Sequence, residues 1–354
     1  MSYRLFGFLR FVLAMMVAVN HAAPTFGFSN AIALFPWGGI AVTCFFVLSG
    51  FIIAEAIGTY YLNRPFAYLF NRMLRILPPY WLALLVSIVT HVVLSQSGSL
   101  SIYNQHPTAI FSLQNIVANI TAVLPFQGAI GVFHLITFYG FVSYYWAILI
   151  EVDFYLVAFL IVLIGGFFKS KFTPFVVLCI AAFLALHLVN EYIRPIRSEL
   201  HYIPYFTLGV CIYGWRTGRR LAGFGIVLSA LAAAPAFAFN IDEIASVAGP
   251  GDHRDLNAIM AVGGLALFCI AIFLLSNTKA TGPLRAIDRW FGDLSYPIYL
   301  NHYIVLTTLF SLGATSWPAL LIFIAGSLAL AWSAAVAVEI PLRHVRDLIR
   351  GHSL

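Results

Sequence analysis

The sequence predicts an all-α integral membrane protein, a single bundle of about ten transmembrane helices with both termini cytoplasmic. Hydrophobic residues make up 62% of the 354 and charged residues only 9%, and mean hydropathy is +0.93. That is too little charge to cover the surface of a soluble domain. Apolar runs of roughly 18 residues or more recur along the chain, separated by short charged or Gly/Pro-containing breaks. The short alternating segments of a β-barrel are absent. Cations also concentrate in every second break, as a polytopic helical chain requires.

The expected spans are 6–23, 36–57, 76–95, 141–165, 172–190, 199–215, 221–239, 257–276, 291–311 and 317–339. The first follows a basic start that could open a cleavable signal peptide. No small-x-small site leads there into a polar mature region, so it is read as a helix. The third is expected to start at the Pro78-Pro79 break, since proline suits a first helical turn. Segment 96–140 contains no Lys, Arg, Asp or Glu, and its apolar run 109–126 is interrupted by Asn and Gln and meets Pro125. It reads as a re-entrant or interfacial element. No repeat and no linker divides the chain, so residues 1–354 form one domain.

Over ten spans, sixteen of the nineteen Lys and Arg fall on one side, and only Arg194, Arg197 and Arg254 on the other. The positive-inside rule then puts both termini in the cytoplasm. The net charge of +6 forms no basic stripe with interleaved polar residues, so it reads as a topology signal and no nucleic-acid partner is expected. Cys44, Cys179, Cys211 and Cys269 all lie in apolar runs without a CxxC, which reads as inert thiols with neither disulfide nor metal.

An ionisable group inside a span costs on the order of 3 kcal/mol, so each one demands a reason. The candidates are Arg10, His21, Glu55, Glu151, Asp153 and His302. Arg10 and His21 are eleven residues apart, which places them on one helix face about 16 Å apart along the axis. A cation at the mouth and an imidazole deeper in suit an elongated anionic ligand. The plainer reading is a snorkelling arginine and a packing histidine. Arg72 and Arg75 are i, i+3 and form a fork for phosphate oxygens, or else a topogenic basic loop. Glu151 shares a face with Tyr155, while Asp153 is rotated about 200° away from Glu151. Ser295, Tyr299 and His302 make one polar seam on a late helix, more suited to a cavity than to lipid.

Taken together, these stretches resemble the bacterial membrane-bound acyltransferase family 3. The resemblance rests on Arg10-x10-His21, Gly38-Gly39 with Phe45-Phe46-Val47-Leu48-Ser49-Gly50-Phe51, and Arg72-x2-Arg75-Ile-Leu-Pro-Pro-Tyr-Trp. It continues through Trp146…Glu151…Phe154-Tyr155, Leu294-Ser295-Tyr296-Pro-Ile-Tyr299-Leu-x-His302 and Glu339-x-Pro341-Leu342. Family members often carry two adjacent acids where this chain has Glu151, Val152 and Asp153.

The resemblance implies a multi-pass enzyme of the bacterial inner membrane. It would move an acyl group, usually acetyl, from acetyl-CoA as co-substrate to a hydroxyl of a carbohydrate or glycolipid. It also implies catalytic roles for His21 and Glu151, with Glu151 orienting the imidazole. Arg10, Arg72, Arg75, Tyr155, Ser295, Tyr299 and His302 would then bind donor and substrate. A covalent acyl-histidine relay is an open variant. From a different class, a proton-coupled transporter or flippase also needs buried His, Glu and Arg. It would show an inverted repeat, and none is visible.

Overall fold

The computed structural model describes residues 4–27, 37–101, 110–124, 138–167, 172–193, 198–233, 254–278 and 281–351, and no strand occurs among them. In chain order the helices are α1 (Gly7–Ala22), α2 (Trp37–Ala56), α3 (Pro65–Gln96), α4 (Leu113–Thr121), α5 (Tyr145–Gly165) and α6 (Phe172–Tyr192). Then follow α7 (Ile203–Arg216), α8 (Ala222–Ala233), α9 (Arg254–Ser276), α10 (Gly282–Ser311), α11 (Trp317–Ala334) and α12 (Ile340–Arg350). Each of the ten expected spans coincides with a helix in its described part. Among the described residues, six helices are long and apolar enough to cross a membrane. The chain is a multi-pass membrane protein. At 16 residues α1 is short for a full crossing, and α7 is preceded by a separate 3₁₀ turn, Ser198–Tyr202. The 30-residue α10 has the length, but its polar seam lowers its apolarity.

Two boundaries differ from expectation. First, α3 begins at Pro65 and runs 32 residues, about 48 Å, with Pro78 and Pro79 in its interior. Proline at the first helical position costs nothing, because that N–H has no intrahelical partner anyway. The interior pair leaves the carbonyls of Leu74 and Arg75 without helical donors, which a membrane helix tolerates where neighbours supply polar groups. Just before the pair, the Tyr296 hydroxyl on α10 donates to the Ile76 carbonyl at 3.2 Å and ties α3 to α10. The fork of Arg72 and Arg75 therefore sits inside a helix rather than in a loop before one. Second, the described part of 96–140 holds only the nine-residue α4, about 13 Å long and too short to span.

The asparagines interrupting that run have a structural explanation. Asn115 and Asn119 are buried and bind the non-helical backbone of 139–141. Tyr139 N donates to Asn115 Oδ1 and Phe141 N to Asn119 Oδ1, both at 2.9 Å. Asn119 Nδ2 returns a bond to the Tyr139 carbonyl at 2.8 Å. Irregular backbone at membrane depth is stable only when protein groups satisfy it in this way.

At the centre α1 packs between α10 and α2, α7 lies against α2, α11 against α10, and α3 against α5 and α10. Small residues set the closest approaches. A methyl group on Gly209 of α7 would run into the Val47 carbonyl of α2, and one on Gly50 of α2 into the Phe206 carbonyl of α7. Membrane helices associate through such contacts because lipid offers no hydrophobic penalty to drive them together. Gly209→Ala should therefore force the two backbones apart and cost about 1–3 kcal/mol or more. The check is a lower midpoint of thermal aggregation in detergent, with Gly225→Ala as a comparison that meets only the flexible-sided Cys211.

Buried charges at the helix ends are matched. Glu55 pairs with Arg4, and Arg216 approaches it at 3.7 Å. Arg346 meets Glu339 at 3.1 Å, and Arg343 pairs with Asp293. Glu55, a candidate from the sequence, is thereby accounted for as an ion-pair partner. The Asp288 carboxylate of α10 accepts from the backbone N–H groups of Gly7 at 2.8 Å and Phe8 at 2.9 Å. It thus caps α1 from another helix. All four cysteines are free, two buried and two half-buried.

Candidate active site

Five helices converge on a narrow cavity of about 90 Å³. α1 contributes Arg10, α2 Ser49, α3 Arg72 and Arg75, α5 Glu151 and Tyr155, and α10 Ser295 and Tyr299. Seven of the nine site residues expected from the sequence, Glu151 among them, thus line one space. His21 and His302 form a separate pair beside it.

The local reasons are visible helix by helix. Arg10 passes close over Gly292, where a methyl group would lie 2.7 Å from Arg10 Nη2. Arg72 is 8% exposed, and its guanidinium lies 5.7 Å from the Tyr68 ring and 5.5 Å from the Tyr155 ring. Cation–π contacts of this kind hold the plane of the fork. Yet Arg72 Nε is buried without a hydrogen-bond partner, and neither Arg72 nor Arg75 forms an ion pair with an acid among the described residues. Buried cations are normally paired. Two unpaired guanidinium groups on one cavity are what an anionic ligand would complete.

Glu151 Oε1 accepts from Ser49 Oγ at 2.9 Å and from the Tyr155 hydroxyl. The carboxylate therefore fixes the ring over which Arg72 lies. Asp153, one step further on, does not line the cavity, in keeping with the opposite face expected for it. The expected contact between Glu151 and His21 is not formed. Glu151's two bonds point to α2 and along α5, whereas the partner of His21 comes from α10.

That partner is His302, 1% exposed, whose Nε2 lies 2.9 Å from His21 Nδ1. His302 Nδ1 lies 3.0 Å from the Ile298 carbonyl, and a carbonyl can only accept. With both rings neutral, His302 carries its proton on Nδ1 and presents a lone pair at Nε2. His21 then donates from Nδ1, which leaves its own Nε2 as the basic nitrogen. Tyr144 stacks on the His21 ring at 3.5 Å, and the Tyr299 hydroxyl donates to the Tyr144 carbonyl at 2.8 Å. Tyr299 lines the cavity and also lies 6.3 Å from the His302 ring, so the histidine pair adjoins the cavity's edge. Sequence spacing placed His302 on a polar seam, and the family resemblance put it among the substrate-binding residues. Its contact with His21 across 281 positions could not be read from the chain alone. Tyr144 gave no signal at all beyond its place at the start of α5.

A basic fork, a buried carboxylate and an oriented imidazole gathered within a membrane bundle are the makings of an integral-membrane enzyme site. Residues 6–338 match the family model described as an acyltransferase domain, and the chain belongs to that family, acyltransferase family 3. It is an acyltransferase. No curated protein and no solved structure matches it.

Proposed function

We propose that the enzyme moves an acyl group, acetyl in the first instance, from acyl-CoA to a hydroxyl of a carbohydrate or other cell-envelope glycan. We place it in the bacterial cytoplasmic membrane, with ten spans and both termini cytoplasmic. The single observation that carries the reading is the pair Arg72 and Arg75, lacking acidic partners, on a cavity that Arg10 also lines. Coenzyme A carries phosphates that such a fork holds by bidentate hydrogen bonds. A neutral donor would leave the Arg72 and Arg75 guanidinium groups without an anionic hydrogen-bond partner.

In this reading His21 Nε2 takes the proton of the acceptor hydroxyl as its oxygen attacks the thioester carbonyl. The tetrahedral intermediate collapses, the C–S bond breaks, and the CoA thiolate leaves with the proton held on the imidazole. His302 keeps the imidazole in the tautomer whose free nitrogen is Nε2 and accepts from its Nδ1–H, the orienting part of a triad. Glu151 holds Tyr155 and balances the arginines around it. Ser295 and Tyr299 line the same cavity.

The direct test is transfer of labelled acetyl from acetyl-CoA to cell-envelope glycan by purified protein in lipid. Label that stays on the donor while a glycan or metabolite crosses the membrane would support a transporter instead. Reporter fusions should place residues near 62 and 278 in the cytoplasm and residues near 98 outside. Reversal of these sides would overturn the topology.

Arg72→Ala and Arg75→Ala should each remove a charge-assisted contact of about 1.5–3 kcal/mol, about ten- to a hundredfold in donor KM, with acceptor KM unchanged. Lysine should rescue only in part, because it lacks the planar fork. Steady-state kinetics with each substrate varied in turn is the check.

A further inference from the structure

A second cavity of about 260 Å³ lies beyond the histidine pair, lined by Phe138, Tyr139, Ser143, Tyr145, Tyr303 and Thr307 among others. Its position follows from α10. Ser295 and Tyr299 line the first cavity, His302 comes next, and Tyr303, Thr307 and Phe310 line the second. The sequence from Ser295 to Phe310 covers about 22 Å of helix, so the two spaces are in series with the imidazoles between them. Tyr303 brings the wall of the second cavity to the pair: its ring lies 5.6 Å from the Tyr144 ring that stacks on His21, and 6.5 Å from the His302 ring.

The two linings differ in chemistry. The first carries three arginines and a glutamate; no charged residue lines the second among the described residues. What the second cavity offers is aromatic faces and hydroxyls. Thr307 is 7% exposed, and neither its hydroxyl nor that of Ser143 makes a hydrogen bond within the described structure. Both hydroxyls are thus available to a ligand's hydroxyl groups. Tyr139 is set in place from behind. His91 Nδ1 lies 2.8 Å from the Ser87 carbonyl and so carries its proton there. His91 Nε2 then accepts from the Tyr139 hydroxyl at 3.1 Å, which leaves the phenolic oxygen free to accept. The α4 asparagines fix the backbone of the same residue.

We propose that this second cavity is the acceptor subsite and that it takes an uncharged glycosyl residue. The proposal rests on the acyl-transfer reading above and narrows its acceptor class. Sugar rings present apolar C–H faces to aromatic side chains and hydroxyls to Ser, Thr and Tyr. A uronate or phosphosugar would lose hydration here without a compensating cation. The order of the spaces brings a sugar hydroxyl to His21 from one side and a thioester to it from the other.

Saturation-transfer NMR of the full-length protein in nanodiscs reads the cavity without any donor. The probes are methyl glucoside, methyl galactoside, methyl N-acetylglucosaminide and methyl glucuronide. At least one neutral glycoside should receive saturation and the glucuronide should not. Thr307→Val, which keeps shape and removes one hydroxyl, should weaken the neutral signal and raise acceptor KM about tenfold, with donor KM unchanged. Equal or stronger binding of the glucuronide, no neutral binding, or a Thr307→Val effect confined to the donor would overturn the proposal. A neutral glycoside that binds as described but is never acylated would leave the cavity assignment standing and count against the acyl-transfer reading.

Discussion

Replacing His21 with alanine should leave a folded, inserted protein whose acyl transfer falls about a thousandfold or more. The magnitude follows from the loss of a positioned proton acceptor, typically worth 10²–10⁴. Packing loss should be modest, because His21 is half-buried at the end of α1 and its main contacts are one hydrogen bond and one stacked ring. Turnover measured with thermal stability in the same preparation separates chemistry from folding. Near-normal turnover would return His21 to the role of a packing residue. His302→Phe provides a second reading of the same site. It retains an aromatic ring but offers no lone pair to His21 Nδ1–H, so the imidazole loses its fixed tautomer. Its effect should fall on kcat rather than on donor KM. If it shifted donor KM alone, His302 would belong to the donor site.

The second large effect is expected at Glu151 and not at Asp153. Glu151 accepts from both Ser49 and Tyr155 through one oxygen. Glutamine can keep an acceptor there, but it removes the charge that balances Arg72 and Arg75 and weakens both bonds, since bonds to an ionised acceptor are roughly twice as strong. Tyr155 is then held less firmly, and with it the ring 5.5 Å from the Arg72 guanidinium. Glu151→Gln should lower turnover about a hundredfold with the protein still folded. Asp153→Asn, outside the cavity lining, should act mildly on turnover or through stability. An inert Glu151→Gln beside a folded but inactive Asp153→Asn would show that the other face of α5 serves catalysis.

The helical membrane fold was readable because it depends on composition and run length, which a single sequence displays fully. So were the face shared by Glu151 and Tyr155 and the seam of Ser295 and Tyr299, since a 3.6-residue period decides both. Three features were hidden for physical reasons. Proline is read as a helix boundary, yet in α3 the pair at 78 and 79 is interior, in a helix packed against α5 and α10. Asn115 and Asn119 register in the sequence only as polar interruptions. Their function is to satisfy a distant backbone at 139–141. The exchange of Glu151 for His302 as the partner of His21 depends on how α1, α5 and α10 pack, and residue spacing within one helix carries no information about that.

The Asp288 carboxylate on the first two N–H groups of α1 has a consequence for biogenesis. This cap and the His21–His302 bond span the same 281 positions of chain, near opposite ends of the same helix pair. During synthesis α1 leaves the ribosome long before either partner exists. Until α10 arrives, α1 sits in the bilayer with bare N–H groups and an unoriented imidazole, and must be sheltered by lipid headgroups, water or the insertion machinery. A nascent chain that stalls before α10 is therefore an inert enzyme with a poorly anchored first helix, a natural substrate for membrane quality control.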